Sequence, residues 1–137
     1  MSEAHLPVFV YGTLRPGAGN YPRYLAGRTQ KEQPAWTRGL LFLVRAEDYP
    51  YLTDGPGSVR GELIDLAPEH YVTLLAALDR LEDYVPAQPQ ASLYLRRPRE
   101  VILTDGTVRQ AWVYLWNGPA GAGVPLPGGD FLAADAR

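Results

Sequence analysis

The sequence predicts an α+β domain built on a mixed or antiparallel sheet, and three observations carry that prediction. Residues Pro68 to Asp83 hold apolar side chains at the helical period. Glu100 to Thr104 and Thr107 to Trp116 read as two strands joined by Asp105-Gly106, a two-residue connection that favours a type I′ turn. The elements follow one another as strand, loop, strands, helix and hairpin, an order that fits separated α and β parts.

Leu6 to Tyr11 is a short apolar run rich in Val and aromatics, halted by Gly12, and reads as a buried strand. The loop Thr13 to Asn20 follows, with Pro16, Gly17 and Gly19 as breakers. A short helix is expected over Tyr21 to Ala26, where Pro22 is tolerable only in the first turn. Trp36 to Val44 and Val59 to Leu66 are the next strands. The segment Asp48 to Ser58 between them reads as turn-rich, because it contains Tyr49-Pro50 and Asp54-Gly55-Pro56-Gly57. Pro68 suits the first turn of the helix that comes next. On the last strand Trp112, Tyr114 and Trp116 share one face while Ala111, Val113 and Leu115 share the other. Both faces are apolar, so this strand is central, in a sheet covered on both sides or curled into a barrel. From Asn117 onward Gly, Pro and Ala dominate, which predicts a domain over residues 1–116 and a loosely packed tail without regular structure over 117–137.

At 137 residues the chain is long enough to bury one core without staples. It has no cysteine, which excludes a disulfide scaffold, a thiol nucleophile and cysteine-based metal sites. Its imidazoles, His5 and His70, form no ligand-spaced cluster, so no metal centre is expected. A net charge of −2 gives no broad basic surface for nucleic acid. No segment has the length or apolarity to cross a bilayer, and no leader-like pattern opens the sequence, so the default expectation is a cytoplasmic protein.

Glu82 is the residue out of place. Tyr71, Leu74, Leu75, Leu78 and Leu81 form one helical stripe, and Glu82, four positions beyond Leu78, falls near its middle. Asp79, Arg80 and Asp83 project to the sides or the back. A carboxylate on a core-facing surface is costly unless it is paired or protonated. Helical phase leaves two readings open: an acid or base with a raised pKa, or a structural ion pair at a fraying helix end.

The second unusual segment is Tyr11-Gly12-Thr13-Leu14-Arg15-Pro16-Gly17, directly after the first strand. Gly12 permits close backbone approach, and successive N–H groups leaving such a turn can form a concave anion site. Arg15 adds a positive charge. The spacing fits neither a P-loop nor a dinucleotide fingerprint.

The blocks Val8-Phe9-Val10-Tyr11-Gly12-Thr13-Leu14-Arg15, Tyr49-Pro50, Val59-Arg60-Gly61-Glu62-Leu63, Leu78-Asp79-Arg80-Leu81-Glu82-Asp83-Tyr84, Tyr94-Leu95-Arg96-Arg97 and Ala111-Trp112-Val113-Tyr114 occur in that order. Together they resemble the gamma-glutamylcyclotransferase-like family over residues 7–116. The resemblance implies a small barrel-like mixed sheet flanked by short helices, with a cavity between the first loop and the helix end. It implies release of 5-oxoproline and an amine from a small gamma-glutamyl substrate, without cofactor or metal, and it gives Glu82 the acid/base role. It favours the loop Gly12, Thr13, Leu14 and Arg15 as the binding cradle; Tyr11 either lines the pocket or closes the core, and Arg15 either joins the cradle or points to solvent. Tyr94 and Arg96 share a strand face, and either Tyr94 or Tyr114 can supply a hydroxyl. Packing, or pairing of Arg96 with Glu62, Asp65 or Asp79, is the structural alternative. The position after the glutamate is often Gly in the family and is Asp83 here. Two other readings stay open: a non-catalytic binding domain of the same fold, and removal of a gamma-glutamyl protecting group in a biosynthetic route.

Overall fold

The computed structural model describes residues 5–44 and 49–135. They form β1 (Val8–Val10), α1 (Tyr21–Tyr24), β2 (Thr29–Val44), β3 (Tyr49–Leu66), α2 (Tyr71–Leu81), β4 (Tyr94–Leu103), β5 (Val108–Trp116), β6 (Val124–Pro125) and α3 (Phe131–Asp135). The strands lie in the order β3-β1-β5-β4-β2-β6, and β2 also pairs with β3, so five strands close into a barrel with β6 added outside the ring. β1 runs parallel to β5 and antiparallel to β3, which makes the barrel mixed.

Alternation along the strands divides the apolar residues into two layers. Phe9, Ala35, Val59, Leu63, Val101, Val113 and Leu115 fill the inside. Val8, Val10, Ile64, Tyr94 and Tyr114 face outward and are covered by Leu25 and by the α2 side chains Tyr71, Leu74 and Leu78. Both faces of β5 are therefore buried, as its two apolar rows require.

Local readings fail in four places, each for a physical reason. The segment taken as turn-rich belongs to β3, although Asp48 lies outside the described residues. Tyr49 to Thr53 pair with Val44 to Leu40 of β2, and only after that does the register jump, from Leu40↔Thr53 to Arg38↔Ser58. β1 pairs with β3 only near Ile64 to Glu62, so the missing N–H of Pro50 breaks no ladder on that side. The β4–β5 turn is not type I′, because Asp105 does not have the positive φ that type requires. Instead the Gly106 N–H donates to the Leu103 carbonyl at 2.9 Å and Gly106 alone takes a left-handed φ of 88°, the pattern of a three-residue connection.

The predicted helix is also divided. Pro68–His70 is a single 3₁₀ turn, and α2 proper ends at Leu81 with Glu82 as its C-cap. Lastly, the C-terminal segment packs firmly. β6 pairs with Phe42 and Leu43 of β2, Phe131 joins the barrel's interior cluster, and the Gly129 carbonyl accepts the Arg60 N–H at 2.7 Å. Average composition hides a single well-placed aromatic anchor such as Phe131.

Candidate active site

The end of α2 is held by a closed set of backbone bonds. The Asp83 N–H donates to the Arg80 carbonyl at 3.1 Å and the Tyr84 N–H to the Asp79 carbonyl at 2.9 Å. These are the two bonds of a Schellman motif, whose residue after the C-cap takes a left-handed conformation. Asp83 has φ 56°. Glycine suits that position best, and Asp is among the few other residues that enter it readily. The Asp83 carbonyl then accepts the Leu93 N–H at 3.0 Å, tying the helix end to the start of β4. Glu82 is thus aimed by a rigid corner, not by a frayed turn.

A cavity of about 290 Å³ opens where β1 ends. Tyr11, Gly12, Thr13 and Leu14 form one wall, Leu81 and Glu82 another, and Tyr94 and Tyr114 line it from β4 and β5. Glu82 is half-buried, and its carboxyl makes no ion pair or hydrogen bond among the described residues. Burial raises its pKa, and the Asp79 carboxylate one helical turn away adds to this, pushing it up to about 7.

The three tyrosines beside it have already committed their protons. Tyr11 donates to the Tyr114 carbonyl at 2.7 Å, Tyr94 to the Pro50 carbonyl at 3.0 Å, and Tyr114 to Asp79 Oδ1 at 2.6 Å. Burial pushes all three phenols above their ordinary range, with Glu82 contributing in each case. They stay protonated, and each oxygen keeps an acceptor lone pair.

The loop after β1 offers the opposite polarity. The Arg15 N–H returns to the Gly12 carbonyl, and Asn20 clamps Thr13 twice, through its backbone N–H to the Thr13 carbonyl and through Nδ2 to Oγ1, both at 2.8 Å. The N–H groups of Gly12, Thr13 and Leu14 find no acceptor among the described residues. Gly12 lies against Pro50 so closely that a Cβ would come within 2.6 Å of the proline ring.

Two expected site residues stand elsewhere. Arg15 does not border the cavity; it is 3% exposed and pairs with Glu62 at 2.7 Å and Asp130 at 2.8 Å. Its charge is consumed in fastening the loop to β3 and to the C-terminal segment. Arg96 also lies off the cavity and forms a bidentate pair with Asp79, at 2.8 and 3.1 Å. It therefore leaves Glu82 unpaired. Conversely, Asn20, Tyr49, Pro50, Leu81 and Leu93 border the cavity, although the sequence marks none of them as a site residue. Asp79, placed on the outward side by helical phase, is 7% exposed. Among the described residues no group of His, Cys, Asp or Glu is arranged to hold a metal, and no helix is long and apolar enough to cross a membrane.

Comparison with known proteins agrees with this architecture. The family model described as gamma-glutamyl cyclotransferase, AIG2-like, matches residues 8–133. A protein of Methanocaldococcus jannaschii, provisionally named a gamma-glutamylcyclotransferase, is 25% identical over 131 residues, covering 90% of this chain and 93% of that one. Among solved structures, YkqA of Bacillus subtilis superposes with a TM-score of 0.67 at 24% identity; the match covers 96% of this chain but only 43% of that protein. A mouse AIG2-like protein gives a TM-score of 0.65 at 24% identity, covering 84% of this chain and 80% of the other. The family match runs past Trp116 to residue 133. The chain belongs to the AIG2-like gamma-glutamylcyclotransferase family.

Proposed function

We propose that the protein is an enzyme releasing 5-oxoproline and an amine from a gamma-glutamyl amine, amide or small peptide, with Glu82 as its proton shuttle. The observation that carries this reading is the unpaired, half-buried Glu82 carboxyl, raised to about 7, facing a loop with unused N–H donors across one cavity.

A gamma-glutamyl group has an α-ammonium, an α-carboxylate and a γ-amide. The ammonium must lose a proton before its nitrogen can attack the γ-carbonyl carbon. Glu82 as carboxylate accepts that proton, and the new C–N bond closes a five-membered ring with an oxyanion on the former carbonyl. Glu82, now protonated, donates to the departing nitrogen as the old C–N bond breaks. The ring nitrogen gives its second proton to the regenerated Glu82 carboxylate, which passes it to the freed amine or to water, and a lactam and a free amine leave. A group titrating near neutral pH can serve in both directions.

Attack is intramolecular, so the protein's further task is to hold the folded-back conformer. The free N–H groups of Gly12, Thr13 and Leu14 suit an anionic oxygen, either the α-carboxylate or the developing oxyanion. The acceptor oxygens of Tyr94 and Tyr114 suit the ammonium. The reading needs no metal or cofactor. Incubation with a panel of gamma-glutamyl compounds tests it. 5-Oxoproline should appear with at least one of them, and Glu82→Gln should stop release while the circular dichroism spectrum stays unchanged. A folded Gln variant with full activity would remove Glu82 from the chemistry.

A further inference from the structure

Asp79 and Arg96 do not border the cavity, and they are built as a unit. Asp79 Oδ1 accepts both the Arg96 Nε–H at 2.8 Å and the Tyr114 hydroxyl at 2.6 Å, while Oδ2 accepts from Arg96 Nη2 at 3.1 Å. The guanidinium is fixed in turn by two rings, 4.5 Å from the Trp112 centroid and 5.6 Å from that of Tyr84. A guanidinium bonded to both oxygens of an aspartate and stacked on aromatic faces cannot swing toward a neighbour.

We propose that Asp79 and Arg96 form a positioning pair for Glu82, presenting the negative edge of the ion pair to its carboxyl and keeping the guanidinium turned away from it. The pair acts through Glu82 and touches no substrate, and the inference rests on the acid/base reading given above. The other groups around the Glu82 carboxyl are phenols: Tyr11 beyond β1, Tyr49 from β3, Tyr94 from β4 and Tyr114 from β5. No Lys, Arg or His borders the cavity among the described residues, so Asp79 is the full charge next to the shuttle. The arrangement solves a design problem. A lone Arg within reach would pair with Glu82, as Arg15 pairs with Glu62 at 2.7 Å. Occupying Arg96 with Asp79 gives the helix end its ion pair and leaves the shuttle unpartnered.

The pair makes opposite predictions for its two halves. Asp79→Asn removes the negative edge, leaves the cation and moves the Glu82 titration to lower pH by on the order of one pH unit. Arg96→Gln leaves Asp79 uncompensated and moves it to higher pH. Substituting both together leaves a smaller displacement than Asp79→Asn alone. The readout is carbon-13 NMR of protein labelled at the glutamate carboxyl, with the Glu82 resonance identified by its loss in Glu82→Gln. The acid limb of kcat/KM for 5-oxoproline release should follow the same displacements. A merely structural pair would lower stability in both variants and leave the titration of folded protein in place. Displacements of opposite sign support the proposal; no displacement, or the same sign in both, overturns it. If Asp79→Asn does not fold, Arg96→Gln and the double variant decide the matter. If the wild-type protein releases no 5-oxoproline, the acid/base reading of Glu82 fails while the titration still judges the pair.

Discussion

Two carboxylates stand one helical turn apart at the end of α2 and live under opposite rules. Asp79 is fully engaged, by Arg96 on both oxygens and by Tyr114 on one. Glu82 has no partner among the described residues and faces the cavity. A buried acid that is hydrogen-bonded and paired serves the fold, whereas one that is desolvated and unpaired costs stability and is a candidate for acid/base chemistry. The same residue class, on the same helix, therefore predicts opposite responses to the same kind of substitution.

The largest expected effect is on catalysis. Glu82→Gln should lower 5-oxoproline release by roughly a thousandfold, the range of a lost general acid/base. Asp79→Asn should retain measurable turnover but cost about 3 kcal/mol of stability, because it strands a half-buried guanidinium without its counter-ion. Urea denaturation of the two variants at pH 8 puts the contrast to the test, since Glu82→Gln should move the other way.

The sign follows from linkage. The Glu82 carboxyl has an ordinary value of 4.5 and is pushed to about 7 in the folded protein. The native state therefore holds the proton more tightly than the unfolded chain between those values. Stability linked to Glu82 is fully present below about pH 4.5, falls as pH rises through 7 and stays low above that. Removing the charge should stabilise the protein by about 3 kcal/mol at pH 8 and by almost nothing at pH 4. Equal stability of wild type and Glu82→Gln at both pH values would mean that the carboxyl is solvated as in an unfolded chain.

The smallest effect sharpens the geometry that aims Glu82. Asp83→Gly relieves a left-handed backbone at φ 56° and should add about 0.5 kcal/mol with activity unchanged. A loss of stability would show that the Asp83 side chain does more for the corner than its backbone strain costs.

How far the sequence reveals this site depends on how local each cause is. Glu82 was legible because helical phase is a short-range property, and α2 keeps that phase up to its C-cap. The burial of Asp79 was not, because its cause lies seventeen residues away on β4; the sequence offers Asp79 only as one of three partners for Arg96. Gly12 was legible as a close-approach position, but its neighbour Pro50 sits in a segment whose Gly and Pro content looks like a turn. The barrel was foreshadowed by the two apolar rows of β5. Its closure was not, since the β1–β5 and β2–β4 pairings join residues far apart in the chain. Arg15 shows the same limit: its partners Glu62 and Asp130 come from β3 and from a segment whose composition resembles a loose tail.

The pH dependence of kcat/KM for 5-oxoproline release tests the central claim most directly. With Glu82 as the base that must start ionised, the rate should fall tenfold per pH unit below about pH 7. A profile that stays flat down to about pH 5, in the range of an unperturbed carboxyl, would contradict the account.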